Sequence, residues 1–101
     1  MITSRRLNEL ERVKNRCKYP ENVEILIIDL AEIDEIDSVV NNYFLQNPEK
    51  RIDILINNAG LSMRATCLEH TFDQDKYLMN VNFLSYVALT KVFQIILSNY
   101  T

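Results

Sequence analysis

Ile52-Asp53-Ile54-Leu55-Ile56-Asn57-Asn58-Ala59-Gly60 is a short aliphatic run that passes into a polar turn carrying the only glycine of the chain. Residues 52–56 have the composition of a strand, and 57–60 form its carboxyl end. Two readings of that end stand side by side. Asn and Gly are ordinary turn residues, so a plain strand-to-loop turn suffices. Alternatively, Ala59 and Gly60 leave room for a ligand to approach the main chain, whose amides then act as donors.

Working outward, the preceding segments repeat the same theme. Val23 to Asp29 contains Ile25-Leu26-Ile27-Ile28, a continuous rather than alternating run, which suits a parallel strand covered on both faces; it ends in Asp29-Leu30. Met1-Ile2-Thr3 reads as the tail of another strand, with Ser4 capping a helix from about Arg5 to Lys18 that Tyr19-Pro20 breaks. Between the strands, Glu32, Asp34, Glu35 and Asp37 put negative charge where a helix N-terminus favours it. Ile36, Val39, Val40, Tyr43 and Phe44 then recur at helical spacing until Asn47-Pro48 stops them. Downstream, Thr71-Phe72-Asp73-Gln74 has the form of a capping box and opens a long helix to about Ser98. Leu78, Val81, Ala88, Val92 and Ile95 form its stripe, widened by Tyr77, Leu84 and Phe93. Asn80 and Asn82 are poor helix-interior residues and call for a reason.

Strand, helix, strand, helix, strand, long helix predicts an α/β fold with right-handed crossovers. In such sheets ligands sit beyond the carboxyl ends of the strands. Here those ends are Ser4-Arg5-Arg6, Asp29-Leu30 and Asn57-Asn58-Ala59-Gly60.

Composition narrows the field. The chain has 101 residues, 48% apolar and 25% charged, with a net charge of −3, which fits one ordinary globular domain. About seven glycines are normal for this length, and with one only, a glycine-rich phosphate cradle is excluded. The longest uninterrupted aliphatic run falls far short of the roughly 18 residues of a spanning segment, and Thr3-Ser4-Arg5-Arg6 interrupts any secretory core. Cys17 and Cys67 stand apart with a single His70, so both read as reduced thiols and no metal site is expected. Residues 1–18 carry a local balance of +4 and the remainder −7. The basic residues interleave with Leu7, Leu10, Val13 and Cys17 as the outer face of an amphipathic helix. No aromatic lies among them and the pI is about 5.1, so no nucleic-acid partner is expected.

Arg5 and Arg6, beside the Ser4 hydroxyl, can hold a phosphate dianion through charge-assisted hydrogen bonds. The competing reading is two exposed arginines at a helix start, where cations are mildly unfavourable. Asp29 can accept from an adenine amino group or cap the following helix.

The Asp29-Leu30 and Asn57-Asn58-Ala59-Gly60 strand ends, followed one helix later by Asn82-Phe83-Leu84-Ser85-Tyr86-Val87-Ala88-Leu89-Thr90-Lys91, resemble the short-chain dehydrogenase/reductase superfamily over nearly the whole chain. The run from Ser4 to Lys14 resembles its member-seven dehydrogenase/reductase group. The resemblance implies a partial Rossmann-like doubly wound parallel sheet, with residues 1–101 as a single partial NAD(P)-binding domain. The activity implied is hydride transfer between NADP(H) and a small-molecule carbonyl or secondary alcohol. Ser4, Arg5 and Arg6 would hold the 2′-phosphate, Asp29 the adenine amino group, and Leu30 the ring. Asn57, Ala59 and Gly60 would border the adenosine ribose and phosphates, with Asn58 bracing the sheet. Asn82 matches the active-site asparagine whose backbone carbonyl holds a relay water; the glycine expected three residues later is Ser85.

The family's glycine loop, catalytic Ser and Tyr-x-x-x-Lys have no match here. Tyr77, Tyr86 and Tyr100 have no lysine four residues on. No turnover is therefore expected of this chain alone, because neither a pyrophosphate seat nor a general acid is present. In the family's strand order the first strand lies between those ending at Thr3 and Ile56. That strand and the C-terminal ones are lacking, so a gap, unpaired edges and an apolar slot are expected, with a marginal, aggregation-prone chain. The resemblance further implies homodimerisation through the 72–98 helix, and a cytoplasmic-facing location with an endoplasmic-reticulum anchor outside this chain. Two rival readings are a truncated, non-catalytic product that associates through that helix, and an unrelated nucleotide-binding module.

Overall fold

Two short strands and a set of helices make up the structure, a computed structural model that describes residues 1–98. Tyr100, considered above as a catalytic substitute, lies outside the described residues. In chain order the elements are β1 (Ile2–Ser4), α1 (Leu7–Arg16), a 3₁₀ turn (Pro20–Asn22), β2 (Ile25–Ile27), α2 (Ile33–Gln46), α3 (Phe72–Met79), a π turn (Asn80–Leu84) and α4 (Ser85–Ser98). β1 and β2 pair in parallel, with Ile2 opposite Ile25 and Ser4 opposite Ile27. The expected α/β order is present, with α1 as the crossover between parallel neighbours.

Several local expectations change. Helix α1 begins at Leu7 with Arg6 as its cap residue, and no side chain caps it. Ser4 Oγ lies 3.5 Å from the Arg6 amide, too far for a strong bond. The aliphatic run of β2 is covered on one face only: Ile28 is buried, whereas Ile27 is 47% exposed. Leu10 is the buried residue of α1, and Leu7 and Val13 stay exposed.

The largest correction concerns residues 52–56, which form no strand among the described residues. Their composition is right, but a strand exists only by pairing, and no main-chain hydrogen bond joins them to another backbone segment. Ile54 and Ile56 are 77% and 79% exposed. An apolar slot opens beside them, lined on its other walls by Ile2, Leu26 and Ile28. The expected gap is thus present, with β1 and residues 52–56 as its unpaired sides.

The core lies between the end of β2, α2 and α4. Ile28, Ile36, Val40, Phe44, Leu89, Val92, Phe93 and Ile96 form one buried cluster, in which the Phe44 and Phe93 rings meet edge to face at 6.0 Å. The α2 face is the one its spacing predicts. On α4 the stripe passes through Leu89 and Ile96, leaving Ile95 59% exposed. Helix 72–98 is also long and apolar enough, by length and composition, to cross a membrane; here it packs one face on α2.

A polar clasp closes the outer end of this core. Tyr43 of α2 and Lys50 in the following turn both donate to the Glu24 carboxylate just before β2. The Lys50 and Tyr43 hydrogen bonds hold Glu24 below the ordinary carboxylate range. Burial, then the Glu24 bond, pushes Tyr43 up to about 12. The Glu24 bond also raises Lys50. The chain is elongated and flattened, with principal extents of 50 × 32 × 19 Å and a radius of gyration of 15.5 Å, against about 13 Å for a compact domain of this length.

Candidate functional site

The three polar chain ends converge. Ser4 at the end of β1 with Arg5 and Arg6 after it, Asp29 and Leu30 after β2, and Asn57 to Leu61 line one open cavity of about 690 Å³. Tyr77 and Tyr86 of the long helix close its far wall. The cavity is continuous with the apolar slot between β1 and residues 52–56. Its lower part is apolar, while the rim carries the arginines, Asp29 and the asparagines.

Each rim residue has a local cause. Asp29 ends the buried run and turns the chain: its Oδ1 accepts from the Ala31 N–H at 3.0 Å, and its carbonyl accepts from the Glu32 N–H at 3.1 Å. It therefore caps a turn ahead of α2, whose own cap residue is Glu32. Arg5 reaches across the mouth and donates from Nη1 to the Tyr77 hydroxyl at 3.0 Å. No carboxylate pairs with either Arg5 or Arg6 at salt-bridge distance among the described residues, although Arg6 helps to hold the Glu9 carboxyl below its ordinary range, after Arg12.

The Asn57–Gly60 segment divides its work differently from the sequence expectation. Asn57 Nδ2 donates to Thr90 Oγ1 of α4 at 3.2 Å, which makes Asn57 the brace. Asn58, expected to brace the sheet, makes no such bond among the described residues and stands exposed on the cavity wall. Gly60 has no positive φ, and a Cβ there would meet only Asn82 Oδ1, at 3.6 Å. Neither strain nor a clash demands the glycine; its effect is bare main chain on the cavity side.

Asn82 sits behind this wall, outside the cavity lining. Its Oδ1 accepts from the Leu61 N–H and its Nδ2 donates to the Leu61 carbonyl, each at 2.7 Å. The π turn makes this possible by widening the helix where Asn80 and Asn82 interrupt it; the Ser85 N–H donates to the Asn80 carbonyl, five residues back. Ser85, fully buried, places its hydroxyl on the Val81 carbonyl at 2.7 Å. A serine is thus accommodated where the resemblance expects glycine.

Between Leu61 and the helix the loop is pinned twice. Thr66 donates its amide and hydroxyl to Glu69 at 2.7 and 2.9 Å, holding that carboxyl below its ordinary range. Thr71 and Gln74 then form the expected capping box. No group of metal-ligating side chains occurs among the described residues.

Sequence reasoning missed Leu61, Tyr77 and Thr90 as partners of site residues. Leu61 contributes only backbone atoms, and the other two carry no local signal.

The family model for short chain dehydrogenase matches residues 1–98. Among curated proteins, Dehydrogenase/reductase SDR family member 7 of Homo sapiens is 36% identical over 94 residues, 90% of this chain and 28% of the relative. Dehydrogenase/reductase SDR family protein 7-like of Drosophila melanogaster is 39% identical over 98 residues, 90% of this chain and 29% of the relative. Dehydrogenase/reductase SDR family member 7B of Xenopus tropicalis is 33% identical over 85 residues. The chain spans less than a third of the length of these relatives. No solved structure matches significantly.

Proposed function

The chain belongs to the short-chain dehydrogenase family, and from that membership we propose that it is the adenosine-holding part of an NADP(H)-dependent oxidoreductase acting on a carbonyl or secondary alcohol. The observation that carries this reading is the convergence of the segments after β1, after β2 and at 57–60 on one cavity, with Arg5 and Arg6 in its lining. Arg5 and Arg6, with the Ser4 hydroxyl, hold the 2′-phosphate by charge-assisted bonds. Asp29 Oδ1 is engaged by Ala31, and its second oxygen serves the adenine amino group, while Leu30 lies against the ring. The bare backbone of Ala59 and Gly60 borders the ribose and phosphates, with Asn57 fixing that wall to α4.

When bound, the nicotinamide cofactor supplies the hydride. Asn82 keeps the wall in place through Leu61. Residues 1–101 hold no Tyr-x-x-x-Lys and no glycine-rich loop, and the chain alone is expected to consume no NADPH. Turnover by the purified chain with a panel of aldehydes and ketones contradicts that statement. The binding claim is tested by titrating 2′,5′-ADP into the chain and its Arg5→Ala variant: the variant loses affinity, and equal affinity contradicts the assignment.

A second reading has its own support. Met79, Phe83, Val87 and Ile95 are exposed apolar residues of the long helix, and such a row suits association with a second copy or a full-length relative. Co-elution with a full-length member-seven protein supports this interaction role, and separate elution contradicts it.

A further inference from the structure

One side-chain contact joins the first strand end to the long helix across the cavity mouth, and the cofactor assignments above leave it without a role. Arg5 Nη1 donates to the Tyr77 hydroxyl at 3.0 Å, between residues 72 positions apart. Both residues line the cavity. The Tyr77 ring is half-buried on α3, which fixes where its hydroxyl stands. No other hydrogen bond or ion pair engages the Arg5 guanidinium among the described residues, so its remaining N–H donors have no protein partner there.

We propose that Tyr77 sets the preference of this site for a nucleotide bearing a 2′-phosphate, by holding the Arg5 guanidinium at the cavity mouth. The proposal rests on the reading above in which Arg5 meets that phosphate. Arginine has extensive rotamer freedom, and ordering it upon binding weakens affinity. A phenol is a suited anchor because it is neutral. It accepts one hydrogen bond and restricts the side chain, yet leaves the positive charge whole. A carboxylate in its place would fix the arginine equally well but would neutralise it and repel the phosphate. Tyr77 is thus a positioning residue that acts through Arg5.

The test is a double-mutant cycle on the full 101-residue chain, with Arg5→Ala, Tyr77→Phe and the double variant. Each is titrated with 2′,5′-ADP and with 5′-AMP, which differ in the 2′-phosphate alone, and their affinity ratio is the readout. Tyr77→Phe keeps the ring, and matching circular dichroism spectra certify that packing is kept. Tyr77→Phe should lower the ratio about two- to tenfold, leave 5′-AMP affinity unchanged, and have no further effect once Arg5 is alanine. A ratio that falls in Arg5→Ala but not in Tyr77→Phe overturns the role of Tyr77 while the cofactor reading stands. A Tyr77→Phe effect that persists without Arg5 overturns action through the arginine. A starting chain with no preference for 2′,5′-ADP, or one that Arg5→Ala leaves unchanged, overturns the cofactor reading and this proposal with it.

Discussion

Asn82 grips Leu61 by both of its main-chain groups, with two hydrogen bonds of 2.7 Å. A side-chain amide can reproduce the donor and acceptor of a neighbouring strand, and here it does so for a loop that has no neighbouring strand. The wall formed by Asn57 to Leu61 is held to the long helix at one end by this clamp and at the other by Asn57 and Thr90.

Replacing Asn82 with alanine should therefore loosen the wall more than the helix. Each lost bond is worth about 0.5–1.5 kcal/mol, so the Leu61 amide should exchange its hydrogen about fivefold to a hundredfold faster. Asn82→Asp keeps the acceptor for the Leu61 amide and should be milder. Unchanged exchange at Leu61 in Asn82→Ala contradicts the clamp.

The register of the last helix gives a second expectation. Leu89 is buried in the α2 contact, and Ile95 is 59% exposed. Leu89→Ala should cost about 2–5 kcal/mol, enough to collapse the helical signal of a chain with one small core, whereas Ile95→Ala should leave it intact. Equal effects in circular dichroism would contradict the observed packing.

The Glu24 clasp makes the structure sensitive to pH at both extremes. Glu24 has a depressed pKa in the folded chain, so its contribution is present above the unfolded carboxylate range near 4.5 and is lost as pH falls through the folded value. Tyr43 is raised to about 12, so its contribution is whole below the unfolded value near 10 and is lost between there and about 12. Amide protection in α2 should decline along both limbs, and Glu24→Gln should flatten the acid one. An acid limb unchanged in Glu24→Gln contradicts this assignment.

Much of the helical frame is legible in the sequence because it depends on neighbours three and four residues apart. The α2 stripe and the Thr71–Gln74 box are of this kind. Ile52 to Ile56 shows the limit of such reading, since composition specifies a strand but pairing requires a partner. The displaced stripe on α4 arises from the π turn, which breaks the constant period that sequence spacing assumes. Asn82 stands out as a misfit inside a helix, but its partner is a backbone group 21 residues away, and the Arg5 to Tyr77 contact spans 72. Neither separation leaves a local trace.

Unpaired apolar edges have a solution consequence. Ile54 and Ile56 are almost fully exposed beside an open slot, a template for intermolecular pairing. The apparent molar mass from light scattering should rise with concentration, and Ile54→Lys with Ile56→Lys should raise the monomeric fraction. Scattering unaffected by both lysines would shift the cause to the exposed row on the long helix.

The most direct test of the nucleotide site is a nuclear magnetic resonance titration of the isotope-labelled chain with 2′,5′-ADP. The expected result is a contiguous set of shifted amides at Arg5, Arg6, Asp29, Leu30 and Asn57 to Gly60, the residues that share the cavity, with the distal α2 face still. Shifts scattered over α1 and the basic surface, or no saturable shifts at these three segments, would contradict it.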